Sequence, residues 1–96
     1  PPGAASLTEL TREKLAKLLD HDLGDDWREL ARKLGLSEAD IDQIETESPR
    51  DLAEQSYQLL RLWEQREGKN ATLGTLLEAL RKMGRDDAVE LLRSEL

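Results

Sequence analysis

The chain has 96 residues, enough for one domain with a modest hydrophobic core, and 36% of them are charged, so most of its surface is strongly hydrated. Its formal charge of −7 disfavours general binding to nucleic acid or anionic membranes, both of which need a positive field. It contains no cysteine, which excludes disulfides, thiolate catalysis and Cys-based zinc sites and fits a reducing compartment, and no apolar run approaches the roughly 20 residues that cross a bilayer.

The opening "PPGAAS" reads as a linker remnant over residues 1–6, with a single domain over 7–96 and no stretch that reads as a secretory signal. A first helix is expected from about Thr8 to His21, with Leu7, Leu15, Leu18 and Leu19 as its apolar stripe, Leu10 beside them, and Ser6 and Glu9 as a capping box. A second runs from about Asp26 to Leu34, with Trp27, Leu30, Ala31 and Leu34 at i, i+3, i+4, i+7, and Gly35 closes it. Ser37 caps a third, whose apolar residues are Ala39, Ile41 and Ile44. In "SPRD" the pattern predicts Ser48 as the cap of a fourth helix, Pro49 in its first turn and Asp51 favouring the dipole. That helix extends to about Glu67 and stops at Gly68. Its inner face carries Leu52, Ser56, Leu59, Leu60 and Trp63; Leu62 lies off that face and Tyr57 at its margin, which makes both candidates for an apolar contact patch. Thr72 caps a fifth helix with Leu73, Leu76, Leu77, Leu80 and Met83 inward and Gly84 at its end. A sixth spans about Asp86 to Leu96, with Ala88, Val89, Leu91, Leu92 and Leu96 apolar. No segment alternates as a half-buried strand does, and the connections are short. The expectation is an all-α, six-helix antiparallel bundle with Trp27, Leu30, Leu34, Ile41, Ile44, Leu59, Trp63, Leu76 and Leu80 in its core.

Residues "DDWRELARKLGLSEADIDQIE" followed by "SPRDLAEQSYQLLRLWEQREGKNATLGTLLEAL" resemble the death-domain family over about residues 8–95. The helix-two tryptophan, the "LGLS" hinge, the acidic "ADIDQIE", the late helix-four tryptophan and "NAT" before "LLEAL" stand in that family's order. Two branches are similar: the Fas-associated adaptor, through "DWRELAR" and "NAT", and the ankyrins, through "EQSYQLLRLWEQREGKNA". The resemblance implies a Greek-key six-helix death fold. It also implies a cytoplasmic, non-enzymatic module of an apoptotic or inflammatory adaptor or receptor complex, paired with other death domains through charged patches and able to build higher-order oligomers. The ankyrin-like branch implies the alternative, a structural domain of a membrane-skeleton scaffold.

"LARKLGLSEADIDQIE" also has the alanine, glycine and apolar spacing of a helix-turn-helix. A recognition helix approaches phosphates and base edges with Arg, Lys, Asn or Gln. Here Glu38, Asp40, Asp42, Glu45 and Glu47 occupy Ser37–Glu47 with no Lys or Arg, so DNA binding is a remote alternative and no nucleic-acid partner is expected. From Ser37 to Glu54 seven acids meet one base, Arg50, which concentrates −6 of the total −7. A solvated face accounts for such a run on its own; the resemblance favours an acidic partner-binding patch made of those five carboxylates. Basic counterparts are Arg28, Arg32 and Lys33 on helix two, Arg12 and Lys17 on helix one beside Lys14, and Arg81 and Arg85 at the end of helix five beside Lys82, where the helix dipole alone also favours cations. Separate patches of opposite sign suit head-to-tail pairing. His21 is the sole histidine, so no histidine cluster can bind metal. Asp25–Asp26 and Asp86–Asp87 stand at helix starts, where the dipole explains them better than acid–base catalysis. No cofactor, metal or catalytic set is expected. Asn70-Ala71-Thr72 matches a glycosylation sequon but reads as the helix-five cap.

Overall fold

The computed structural model describes residues 9–95, and these contain six α-helices and no strand. They are α1 (Glu9–Leu23), α2 (Trp27–Lys33), α3 (Glu38–Glu47), α4 (Leu52–Glu67), α5 (Leu73–Lys82) and α6 (Asp86–Glu95), with single 3-10 turns at Gly24–Asp26 and Gly68–Asn70. The expected linker remnant, the Ser6 cap, Leu7, the side chain of Leu10, and Leu96 lie outside the described residues.

Two helix ends follow from glycine. At the end of α2 the Gly35 N–H bonds to the Arg32 carbonyl and the Leu36 N–H to the Ala31 carbonyl, a Schellman closure with Gly35 at φ +92°. The end of α5 repeats it: Gly84 N–H to Arg81 O, Arg85 N–H to Leu80 O, with Gly84 at φ +76°. In both, the left-handed residue turns the chain sharply while the last carbonyls stay satisfied.

The start of α4 differs from the sequence expectation. Ser48 is the C-cap of α3, its N–H bonding back to Ile44, and the N-cap of α4 is Asp51, whose carboxylate accepts from the Glu54 N–H at 3.0 Å. Pro49 lies in the turn ahead of the helix. The chain turns through Arg50 at φ +66°, so three further residues are consumed before helical geometry resumes. Helix α1 extends two residues beyond His21, and Asp26, expected to open α2, is the last residue of the 3-10 turn instead. Of the three apolar residues of α3, Ile41 and Ile44 are buried and Ala39 is exposed.

All nine residues named for the core are buried, and Trp27 and Trp63 are 0% and 1% exposed. They join Leu15, Leu19, Leu23, Leu60, Ala88, Val89 and Leu92 in one cluster. Helix α1 packs along α4 and also against α6, and α2 meets α5, so elements distant in sequence are neighbours in space. Chain order and spatial order therefore differ, as in a Greek-key arrangement. This places α3 against α4 and α2, at the edge of the bundle.

Candidate interaction surface

Helix α3 starts with a reciprocal cap. The Asp40 N–H donates to Ser37 Oγ at 3.2 Å and the Ser37 N–H donates to Asp40 Oδ2 at 2.8 Å. That geometry turns Asp40 inward, to 6% exposure. From α4, Arg66 closes on both its oxygens, Nη1 to Oδ2 and Nη2 to Oδ1, each at 2.6 Å. The Ser37 backbone N–H holds the Asp40 carboxyl below its ordinary value, against the opposing cost of desolvation, and the Ser37 hydroxyl and Arg66 add to the effect. Asp40, expected as part of an outward acidic patch, is therefore a structural carboxylate whose oxygens are already engaged.

The opposite charges of α2 and α3 also meet one another. Arg32 donates to Glu38 from Nε at 2.6 Å and from Nη2 at 3.3 Å, and Arg28 Nε donates to Glu45. Arg28 stacks at 5.3 Å over the Trp27 ring, and Lys33 lies 3.8 Å from Glu29. Hydrogen bonding to Arg32 lowers the Glu38 carboxyl, and bonding to Glu45 and Glu38 raises the Arg28 and Arg32 guanidinium groups. The expected acidic patch and its nearest basic counterpart thus largely neutralise each other within one molecule. Two carboxylates of α3 stand apart. Asp42 and Glu47 are exposed and, among the described residues, neither pairs with a cation; Glu47 accepts only from Gln43 Nε2 at 3.0 Å.

The other basic candidates divide similarly. Arg12 donates to Glu64 of α4 and to Glu9 and stacks 5.9 Å over Tyr57, whose hydroxyl also donates to Glu9. Arg85 lies in the α5–α6 turn rather than on α5, and joins Asp22, Asp26 and Asp87 in a clamp between α1 and α6. Arg81 pairs with Glu78 on its own helix. Lys17 is exposed at the α1–α4 groove beside Glu13, Asp51 and Tyr57. Leu62 and Tyr57 are half-buried against the core, which leaves each with a limited apolar edge. Sequence reasoning missed Arg66, Glu64 and Asp22, because no local pattern reveals a partner 26, 52 or 63 residues away.

A solvent-open groove of about 630 Å³ runs between α2, α4 and α5, bordered by Lys33, Trp63, Thr72, Glu78 and Lys82. Its two threonine hydroxyls, of Thr72 and Thr75, lie 3.0 Å apart, and that of Thr75 donates to the Asn70 carbonyl at 3.3 Å. Among the described residues no group of three His, Asp or Glu side chains is placed to hold a metal ion, and no helix is long and apolar enough to cross a membrane.

Residues 12–96 match the family model described as Death domain. Human ankyrin-1 is 45% identical over 91 residues, which cover 95% of this chain and 5% of that protein. FAS-associated death domain protein from Bos taurus is 39% identical over 79 residues, 82% of this chain and 38% of its own length. Human receptor-interacting serine/threonine-protein kinase 1 is 41% identical over 87 residues, 88% of this chain and 13% of that protein. The chain therefore spans a minor part of each relative.

Proposed function

Since this chain belongs to the death-domain family, we propose that it is a protein–protein interaction module of the death-signalling type and pairs with other death domains through the outward face of α3. Asp42 and Glu47 carry that surface: they are the α3 carboxylates that project to solvent with no cation of the described residues beside them. An unneutralised pair on a rigid helix draws a basic patch of a partner and sets its orientation. Lys17 and Lys14 on α1 are exposed cations of the same chain, so a second copy, or a related domain, can present the complementary sign. Pairing of that head-to-tail kind leads to rings or open assemblies. The module acts without catalysis, cofactor or nucleic acid, in the cytoplasm.

The test is binding to a panel of purified death domains by pull-down, with Asp42→Lys and Glu47→Lys as the variants. The expected result is capture of at least one domain, lost in both variants while helical content and melting temperature stay near wild type. Unchanged capture in both variants would reduce the α3 face to a solvated surface. A second reading, a scaffold domain of ankyrin type, is favoured by the identity of 45% to human ankyrin-1 across 95% of this chain. Molecular size against concentration and salt separates the two: salt-sensitive growth in size with concentration supports the pairing module, and a constant monomer supports the scaffold domain.

A further inference from the structure

We propose that α3, which buries fewer apolar side chains than its neighbours, depends on ion pairs to complete its attachment to the bundle, and that it is released as a unit before the remainder unfolds. Of its ten residues only Ile41 and Ile44 are apolar and buried. The equally long α5 buries Leu76, Leu77, Ala79 and Leu80. Three arginines from two neighbouring helices complete the attachment of α3: Arg28 on Glu45, Arg32 on Glu38 and Arg66 on Asp40. The arginines reach these carboxylates from the solvent side, with the Arg66 side chain 49% and the Arg32 side chain 43% exposed, although Asp40 itself is buried. Exposed pairs contribute little individually and weaken as salt rises, whereas the burial of leucine in α5 does not.

The two ends of α3 are suited to act as hinges. Gly35 at φ +92° precedes it and Arg50 at φ +66° follows it, and these left-handed residues bracket the helix with its cap. Arg50 has a Cβ and is strained there, so release relieves a local cost. Segments with few apolar contacts and solvent-facing polar attachments sit at the low end of the local-stability range.

Release frees both signs at once, Arg28 and Arg32 of α2 and the carboxylates of α3. The internal arginines then compete with a partner's cations for Glu38 and Glu45, which makes their contact autoinhibitory. That consequence rests on the reading of α3 as a partner surface; the release itself does not.

Native-state hydrogen exchange on the whole chain tests it, without a partner. In about 1 M salt the amides from Ile41 to Glu47 should exchange on the order of tenfold faster relative to those of α4 and α5 than they do at low salt. Arg32→Gln, at an exposed position, should raise exchange in α3 alone, and so should Arg66→Gln. Exchange of α3 in step with α4 and α5 at both salt concentrations would overturn the proposal, as would an even rise over all helices in the two variants. Asp42 makes no bridge among the described residues, so loss of partner binding in Asp42→Lys with unchanged α3 exchange keeps this outcome separate from that of the proposed function.

Discussion

Asp40 shows how little a residue's type says about its role when its surroundings are unknown. The same carboxylate is a surface charge in the sequence and a cap-and-clamp in the fold, because the Ser37 N–H and Arg66 converge on it. Its folded pKa lies below the ordinary 3.8, so the stabilisation it gives is fully present above that value and is lost as pH falls through the folded one. Asp40→Asn should therefore lower the denaturation midpoint at pH 6, and the gap to wild type should begin to narrow only below about pH 3.8, closing as pH falls through the folded pKa; a gap that persists unchanged at low pH would remove the carboxylate from the account. Ser56 presents the converse case. It is fully buried on α4, and its hydroxyl has no hydrogen-bond partner among the described residues. Ser56→Ala removes a desolvated polar group and improves helix propensity, so a stability gain of about 1 kcal/mol is expected in chemical denaturation. Trp27→Ala or Trp63→Ala should instead cost about 3–5 kcal/mol, enough to unfold much of a marginally stable domain, read from the far-ultraviolet circular dichroism signal.

At the scale of elements, the turn between α2 and α3 is the most instructive. Gly35 has nothing within 4 Å of the place a Cβ would occupy, so crowding plays no part in its requirement. Only the backbone angle of +92° demands glycine, because a β-branched residue is strained in that region. Gly35→Val should destabilise the domain by about 1 kcal/mol or more, measured as a shift in denaturation midpoint; no shift would mean the Schellman turn tolerates a branched side chain. The turn has the outline of a helix-turn-helix, yet α3 presents Glu38, Asp42 and Glu47 to solvent. Duplex DNA should give no gel shift with this chain at physiological salt in the micromolar range where non-specific binders act.

Over the whole molecule the charge is partitioned rather than spread. Among the described residues, seven of the fourteen cations, all but one of the seven arginine, are paired internally. The field left for a partner comes from a smaller set than the formal charge suggests, with Asp42 and Glu47 prominent on α3. Raising salt should weaken association of the wild-type chain with a death-domain partner, since exposed charges are screened beyond about 8–10 Å near physiological ionic strength. Titrations at low and high salt measure it; affinity that does not change with salt would point to an apolar interface, with Leu62 and Tyr57 the first residues to replace.

What the sequence by itself determined was local. Helical period, the glycine stops at Gly35 and Gly84, the Ser37 and Thr72 caps and the core from Trp27 to Leu80 all depend on residues within about four positions of one another, so they are legible along the chain. The cap of α4 was not, because Ser48 and Asp51 are equally good capping residues and the choice depends on where α3 ends. Only the tertiary structure decided which charges remain available. An ion pair joins side chains whose helices are brought together by burying apolar faces elsewhere. Arg28 meets Glu45 across 17 residues and Arg66 meets Asp40 across 26, through the placement of α3 against α2 and α4 and not through any spacing in the sequence.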